Sequence, residues 1–334
     1  MTGKCSYGDA EGPLAGSCPV SEREESADSP AAGTHCPEVG TNSYPATNVR
    51  RRKASGRCRI PRRLGVVLPY PFSFFLQERF RGVLTASEET DCELVLYCVR
   101  DADEYERCLD LIATEKKVDG LVVLSLLFPK TAVMRFLSLG VPVCLVNSET
   151  KGFCSVCTDI REIGRASALS LFEKGYRKPA FFGEPTSFSS MVPMEEDLYR
   201  GFKNSWADRG VTLPNDFVWF GSYAPAEIER AVSRFISYGN LPDCIFIPCD
   251  CMALVMIREL EKNGLRVPEQ IAVMGAGNNL ISNCFSISSV DMRLVESGYL
   301  AVRAVLECMT HRRSPSCHFL SFEIIDRATV SQRG

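Results

Sequence analysis

The chain has 334 residues, a formal net charge of −3, and 45% hydrophobic and 24% charged residues. At roughly 150 residues per domain this length predicts two globular lobes and a tail. The hydrophobic fraction excludes a chain that is disordered throughout, and no apolar run reaches the ~20 residues that a membrane helix needs.

Residues 1–48 are rich in Gly, Pro, Ser, Thr and Glu without a sustained period, so they read as a disordered or degenerate region. Residues 49–63 form a basic linker. Arg50, Arg51, Arg52, Lys53 and Arg57 in it are candidates for contacting nucleic-acid phosphates. From residue 64 the pattern changes. Strands are predicted at 64–68, 94–98, 120–124 and 143–146, with helices at 76–89, 101–117 and 130–139. On the first helix Phe80, Val83 and Leu84 mark the expected apolar face, and on the second Tyr105, Leu109 and Ile112. The pattern then begins again. Helices at 163–174, 195–209 and 225–238 alternate with strands at 179–182 and 217–220. A strand at 244–248, a helix with Asp250 at its N-cap position and apolar Ala253, Ile257 and Leu260, and a strand at 271–274 follow. Residues 289–292 read as a return strand, 294–310 as a helix and 319–325 as a final strand. Strand–helix–strand units of this kind are right-handed and build parallel sheets. Their ligands bind beyond the carboxyl ends of the strands, here at residues 249–250 and 275–279.

The 16 cysteines are scattered through predicted strands and helices, which favours free thiols in a reducing compartment. Cys154/Cys157 and Cys249/Cys251 are the close pairs, and neither has a matching second pair or a nearby histidine, so no metal site is expected. The three histidines, His35, His311 and His318, fall outside the strand-end loops. With no glycine-rich phosphate loop and no HExxH, neither an enzyme nor a cofactor is expected.

The segments at 63–69 (RLGVVLP), 118–123 (VDGLVV), 140–147 (GVPVCLVN), 159–184 (with GRASAL at 164–169), 200–202 (RGF), 249–254 (CDCMAL), 264–275 (GLRVPEQIAVMG), 288–291 (SSVD) and 323–329 (EIIDRAT) occur in one order over more than 260 residues. Together they resemble the effector-binding domain of LacI/GalR (lactose-repressor/galactose-repressor) type transcriptional regulators. The resemblance implies an α/β fold of two doubly wound parallel-sheet lobes joined by a hinge with crossing strands, like the type I periplasmic binding proteins. The implied lobes are 64–158 plus 292–318, and 159–291 plus 319–330. Residues 50–59 sit where the family has its hinge, and Tyr44-Pro45 is similar to the residues before it. A helix-turn-helix is not recognisable in residues 1–43, which contain Pro13, Pro19, Pro30 and Pro37.

The resemblance also implies an effector cleft between the lobes. Phe74 and Phe75 match the family's aromatic pair, as ligand wall or as core. Asp159 matches an acidic position that accepts sugar hydroxyls, or caps the following helix. Tyr223, Cys249, Asp250 and Asn278 complete the candidate ligand-binding set. The sequence departs from the family at Leu198, where an arginine is common, at Cys249, an asparagine position, and at Gly277 and Asn278, which replace an aspartate pair. Each buried hydroxyl left unpaired is worth about 1–3 kcal/mol, which disfavours a common aldohexose and leaves a smaller or less polar effector, or none. The implied partners are a small-molecule effector, DNA and a second copy of the chain, joined through helices near 101–117 and 251–263, in the cytoplasm and without a membrane. A stand-alone small-molecule binding protein without DNA-binding activity is the alternative.

Overall fold

The computed structural model describes residues 62–237, 239–311 and 314–333. The tail at 1–48, most of the linker, and Arg50, Arg51, Arg52, Lys53 and Arg57 lie outside the described residues.

In chain order the elements are β1 (Arg62–Pro69), α1 (Phe74–Thr90), β2 (Cys92–Val99), α2 (Ala102–Glu115), β3 (Gly120–Leu124), α3 (Lys130–Leu139), β4 (Val143–Val146), β5 (Cys154–Thr158), α4 (Ile160–Glu173), β6 (Pro179–Gly183), α5 (Met194–Ala207), β7 (Val218–Phe220), α6 (Pro225–Ser237), β8 (Cys244–Phe246), α7 (Asp250–Lys262), β9 (Ala272–Ala276), α8 (Leu280–Cys284), β10 (Ser288–Asp291), α9 (Leu294–His311), β11 (Cys317–Leu320) and β12 (Glu323–Ile325). They form two six-stranded sheets ordered β11-β5-β4-β3-β1-β2 and β12-β10-β9-β8-β6-β7. All pairings are parallel except β10 with β12. The fold is therefore two α/β lobes of the same winding order, as expected. The chain crosses between sheets after β5, after β10 and after β11.

Both faces of each sheet are covered, which is why the strands read as continuous apolar runs. In the first lobe, Leu64, Val66 and Leu68 of β1 face α1 and α9, while Val67 faces the α2 and α3 side with Tyr105, Leu109 and Phe136. The second core gathers Phe181, Phe202, Trp206, Phe246 and Met274. Two helix crossings are unusually close. A Cβ on Gly82 of α1 would stand 1.9 Å from the Val295 carbonyl oxygen, and one on Gly298 of α9 would stand 1.9 Å from that of Arg79. Gly164 of α4 and Gly201 of α5 meet in the same reciprocal way in the second lobe.

Several expectations are corrected. Residues 154–158 form β5, a buried strand that the sequence reading leaves unassigned, because Cys, Ser and Thr carry little apolar signal. The short α8 is likewise new, and the Asn279 side chain caps it by accepting from Ile281 N and Ser282 N. The final strand divides: β11 pairs with β5 in the first sheet and β12 with β10 in the second. The buried stripe of α1 runs through Phe75, Leu76, Arg79, Val83 and Ala86, whereas Leu84 is exposed. The close approach of α9 at Gly82 fixes that rotation. Asp250 is the first residue of α7 rather than its N-cap. Its carboxylate instead accepts from Ser289 Oγ (2.6 Å) and Asn279 N (3.1 Å).

Candidate functional site

In an open parallel sheet the crevice for a ligand opens where the winding reverses direction. Here that point lies between β1 and β3 in the first sheet and between β6 and β8 in the second. The residues after these four strands meet across a single cleft of about 330 Å³. Pro69 and the loop into α1 come from β1, Ser125 from β3, Glu184 from β6, and Pro248 and Cys249 from β8. The volume is near the lower end of the ~300–1,000 Å³ typical of small-ligand sites.

The first lobe contributes an apolar wall and one cation. Phe74 is 41% exposed and lines the cleft, while Phe75 is 8% exposed and also belongs to the core of the second lobe. The ring of Phe75 lies 3.5 Å from where a Cβ on Gly277 would stand. Phe74 thus lines the cleft, and Phe75 both lines it and packs into the core of the opposite lobe. Arg79, only 1% exposed, points its guanidinium at Ser125 Oγ (Nη1 donating, 3.2 Å) and lies 3.8 Å from the Met194 sulfur.

The second lobe contributes acids. The first turn of α5 carries Glu195, Glu196 and Asp197, which suits the positive end of a helix. Glu195 Oε2 accepts from Tyr223 Oη at 2.8 Å and from Glu184 N. Burial raises the Glu195 carboxyl to about 8, against the lowering effect of these hydrogen bonds. Burial also pushes the Tyr223 hydroxyl up, with Glu195 adding to it. Glu196 takes Thr186 N and Oγ1 at 2.9 and 2.8 Å and so staples the loop between β6 and α5. That loop reaches the first lobe. Leu127 N donates to Ser190 O (2.7 Å), Val192 N donates to Ser125 O (3.1 Å), and Leu126 bridges Met191 in antiparallel fashion. Phe188 and Met191 pack on the α2–α3 side of the first lobe's core.

The cleft thus brings together Phe74, Phe75, Tyr223 and Cys249 of the sequence-predicted set. Asp159, Asp250 and Asn278 are not among its lining residues. Asp159 is the N-cap of α4, accepting from Glu162 N at 2.9 Å. Asn278 has a positive φ of 46° and holds Arg327 and Asp291 with its side chain. The sequence reading missed Arg79, Ser125, Glu184 and Glu195. For Arg79 a signal existed: it sits four residues after Phe75 and four before Val83, a charge within an apolar stripe.

Comparison with known proteins agrees with this geometry. Residues 168–330 match the periplasmic binding protein-like domain. The HTH-type transcriptional repressor PurR of Aliivibrio fischeri is 25% identical over 286 residues, 83% of each chain. Catabolite control protein A of Priestia megaterium is 24% identical over 254 residues, 74% of each. Over most of its length the chain is thus similar to transcriptional repressors and regulators that share this domain. Among solved structures, the LacI family transcriptional regulator CcpA of Weissella paramesenteroides with bound sucrose superposes at a TM-score of 0.68 with 16% identity. It spans 82% of this chain and all of its own. The regulator CelR in complex with cellobiose gives 0.68 at 21% identity, covering 81% and 85%. At such identities the likeness to these structures establishes the fold. No helix among the described residues is long and apolar enough to cross a membrane.

Proposed function

We propose that this protein is a LacI/GalR-type transcriptional regulator whose two-lobe domain binds a small-molecule effector and thereby alters its affinity for DNA. The observation that carries this reading is the cleft at the two facing winding reversals, lined from both lobes and spanned by Phe75 and the Ser190–Val192 contacts. A ligand bound there interacts with both lobes at once. It therefore has a different affinity for each arrangement of the lobes, which regulation by population shift requires. The naming of the curated relatives as repressors and regulators speaks against a stand-alone binding protein.

In the same reading the chain is cytoplasmic and forms a homodimer, catalyses no reaction, and contacts DNA phosphates through Arg50, Arg51, Arg52, Lys53 and Arg57. Asp159, Asp250 and Asn278 serve the scaffold around the cleft, and Phe74, Phe75, Tyr223 and Cys249 touch the effector. Fluorescence anisotropy of the full-length chain with DNA from upstream of its own gene tests the reading. Affinity should fall steeply with salt and change when an effector is added. An affinity that is absent at low salt would refute the regulatory role. Sedimentation at micromolar concentration checks the dimer.

A further inference from the structure

Arg79 is a buried cation without a counter-ion among the described residues. Its guanidinium has five N–H donors to satisfy. Nη1 reaches Ser125 Oγ and the Met194 sulfur, and Nε is buried with no partner. No carboxylate forms an ion pair with it among the described residues. Burial lowers its pKa to about 10, partly offset by the nearby Cys157, so the side chain stays positive at neutral pH. A tie to Ser125 alone does not require a charge, since a neutral donor would serve with far less desolvation. Arg79 lines the cleft and is the only Lys or Arg among its lining residues.

We propose that Arg79 is the anion-recognition residue of this cleft, and that the effector is a compact molecule with an apolar or aromatic body and a single carboxylate. This deepens the reading of the cleft as an effector site and rests on it. The charge balance selects one negative group. A guanidinium fork matches a carboxylate in plane. A dianion would place its second charge beside Glu184 with no second cation among the cleft-lining residues to offset it. The body of the ligand is set by Phe72, Phe74 and Phe75 on one wall and Met252 on the other. Among the described residues Glu195 Oε1 makes no hydrogen bond, both of its carboxyl's bonds falling on Oε2, and with its carboxyl pKa near 8 it is available as an O–H donor to a polar substituent.

The test uses the full-length chain and matched probes: benzoate with benzamide, phenylacetate with phenylacetamide, phenyl phosphate as a dianion, and glucose and cellobiose as neutral polyols. Thermal shift and calorimetry are the readouts. The expected result is that a carboxylate raises the melting temperature by a few degrees at millimolar concentration, while its amide and phenyl phosphate do not. Arg79→Met should lower the affinity of that carboxylate about tenfold or more and leave the ligand-free melting temperature unchanged or higher. Arg79→Lys, which keeps the charge and loses the fork, should fall between. Amides or sugars that bind as well as the carboxylates, the absence of carboxylate binding, or binding that survives Arg79→Met would each overturn the proposal. So would an Arg79→Met chain that fails to fold, since the guanidinium would then be structural. A carboxylate that binds through Arg79 yet leaves DNA affinity unchanged refutes the regulatory reading alone. A neutral sugar that binds and shifts DNA affinity refutes only the anion site.

Discussion

Glu195 links the cleft to pH. Its carboxyl is raised from the ordinary 4.5 to about 8, burial being the main cause. Between these values the folded protein holds a proton that the unfolded chain has released, so stability falls as pH rises across this window. Each pH unit is worth about 1.4 kcal/mol, which gives a ceiling of roughly 4 kcal/mol between pH 5 and 8. The residue is only partly shielded from solvent, so about half of that, ~2 kcal/mol, is the expectation. Glu195→Gln keeps an acceptor for Tyr223 Oη and Glu184 N and removes the titration. Urea unfolding of both proteins at pH 5 and pH 8 measures the effect. The two should be similar at pH 5, where the carboxyl is protonated and its contribution is complete. At pH 8 the Gln variant should be more stable by ~2 kcal/mol. Parallel pH profiles, or a Gln variant that loses stability at pH 8 relative to wild type, would refute the reasoning.

Three further predictions follow from packing. Gly298→Ala places a Cβ 1.9 Å from the Arg79 carbonyl oxygen, so α1 and α9 must separate, at a loss of about 3 kcal/mol in denaturant unfolding. Asp243→Ala removes the acceptor of Arg177 N and Lys178 N (both 2.8 Å) and of Arg333 Nη1 (3.0 Å), and should lower stability by about 2–4 kcal/mol in the same assay. Phe188→Ala combined with Met191→Ala frees the loop between β6 and α5 from the first lobe. Small-angle scattering should then show a wider lobe separation, at a stability loss of about 2 kcal/mol.

The alternation of strands and helices was legible because both sheets are buried on both faces, so β1, β3, β4 and β9 stand out as apolar runs. Tyr105, Leu109 and Ile112 fix the face of α2 directly. The α1 face was read correctly at Phe80 and Val83, which pack on the core, and misread at Leu84, which is as apolar as the buried Leu76 but exposed. What decides its rotation is backbone contact at Gly82 and Gly298, which no side-chain pattern reveals. β5 was hidden by its composition and β11 by the turn at residues 321–322, which carries the chain from one sheet to the other. The site was legible in part. Strand-end positions such as Cys249 follow from winding order, but the meeting of Arg79 and Glu195 depends on how two separate lobes face each other. A charge within an apolar stripe was the clue to Arg79, and it carries meaning only once that stripe is known to border a cleft.

The charge pattern of the cleft also gives a physical origin for coupling between effector and DNA. With Arg79 buried and without a carboxylate partner among the described residues, the lobe arrangement seen here holds a desolvated cation. Lowering its pKa from 12.5 to about 10 corresponds to a penalty of about 3 kcal/mol on the charged form. In this arrangement the lobes are joined by the Ser190–Val192 strap and by Phe75, which packs into the core of the second lobe. A carboxylate at Arg79 removes the penalty only where the guanidinium is desolvated, because in an open, hydrated cleft the same pair gains little. Its affinity therefore differs between the two arrangements by an amount of the order of that penalty, and coupling energies of 1–3 kcal/mol suffice for regulation. A neutral ligand of the same shape meets an unrelieved cation in the closed form and gains no such difference. The residue that reads the charge of the effector is thus also the residue that makes its binding conformationally selective.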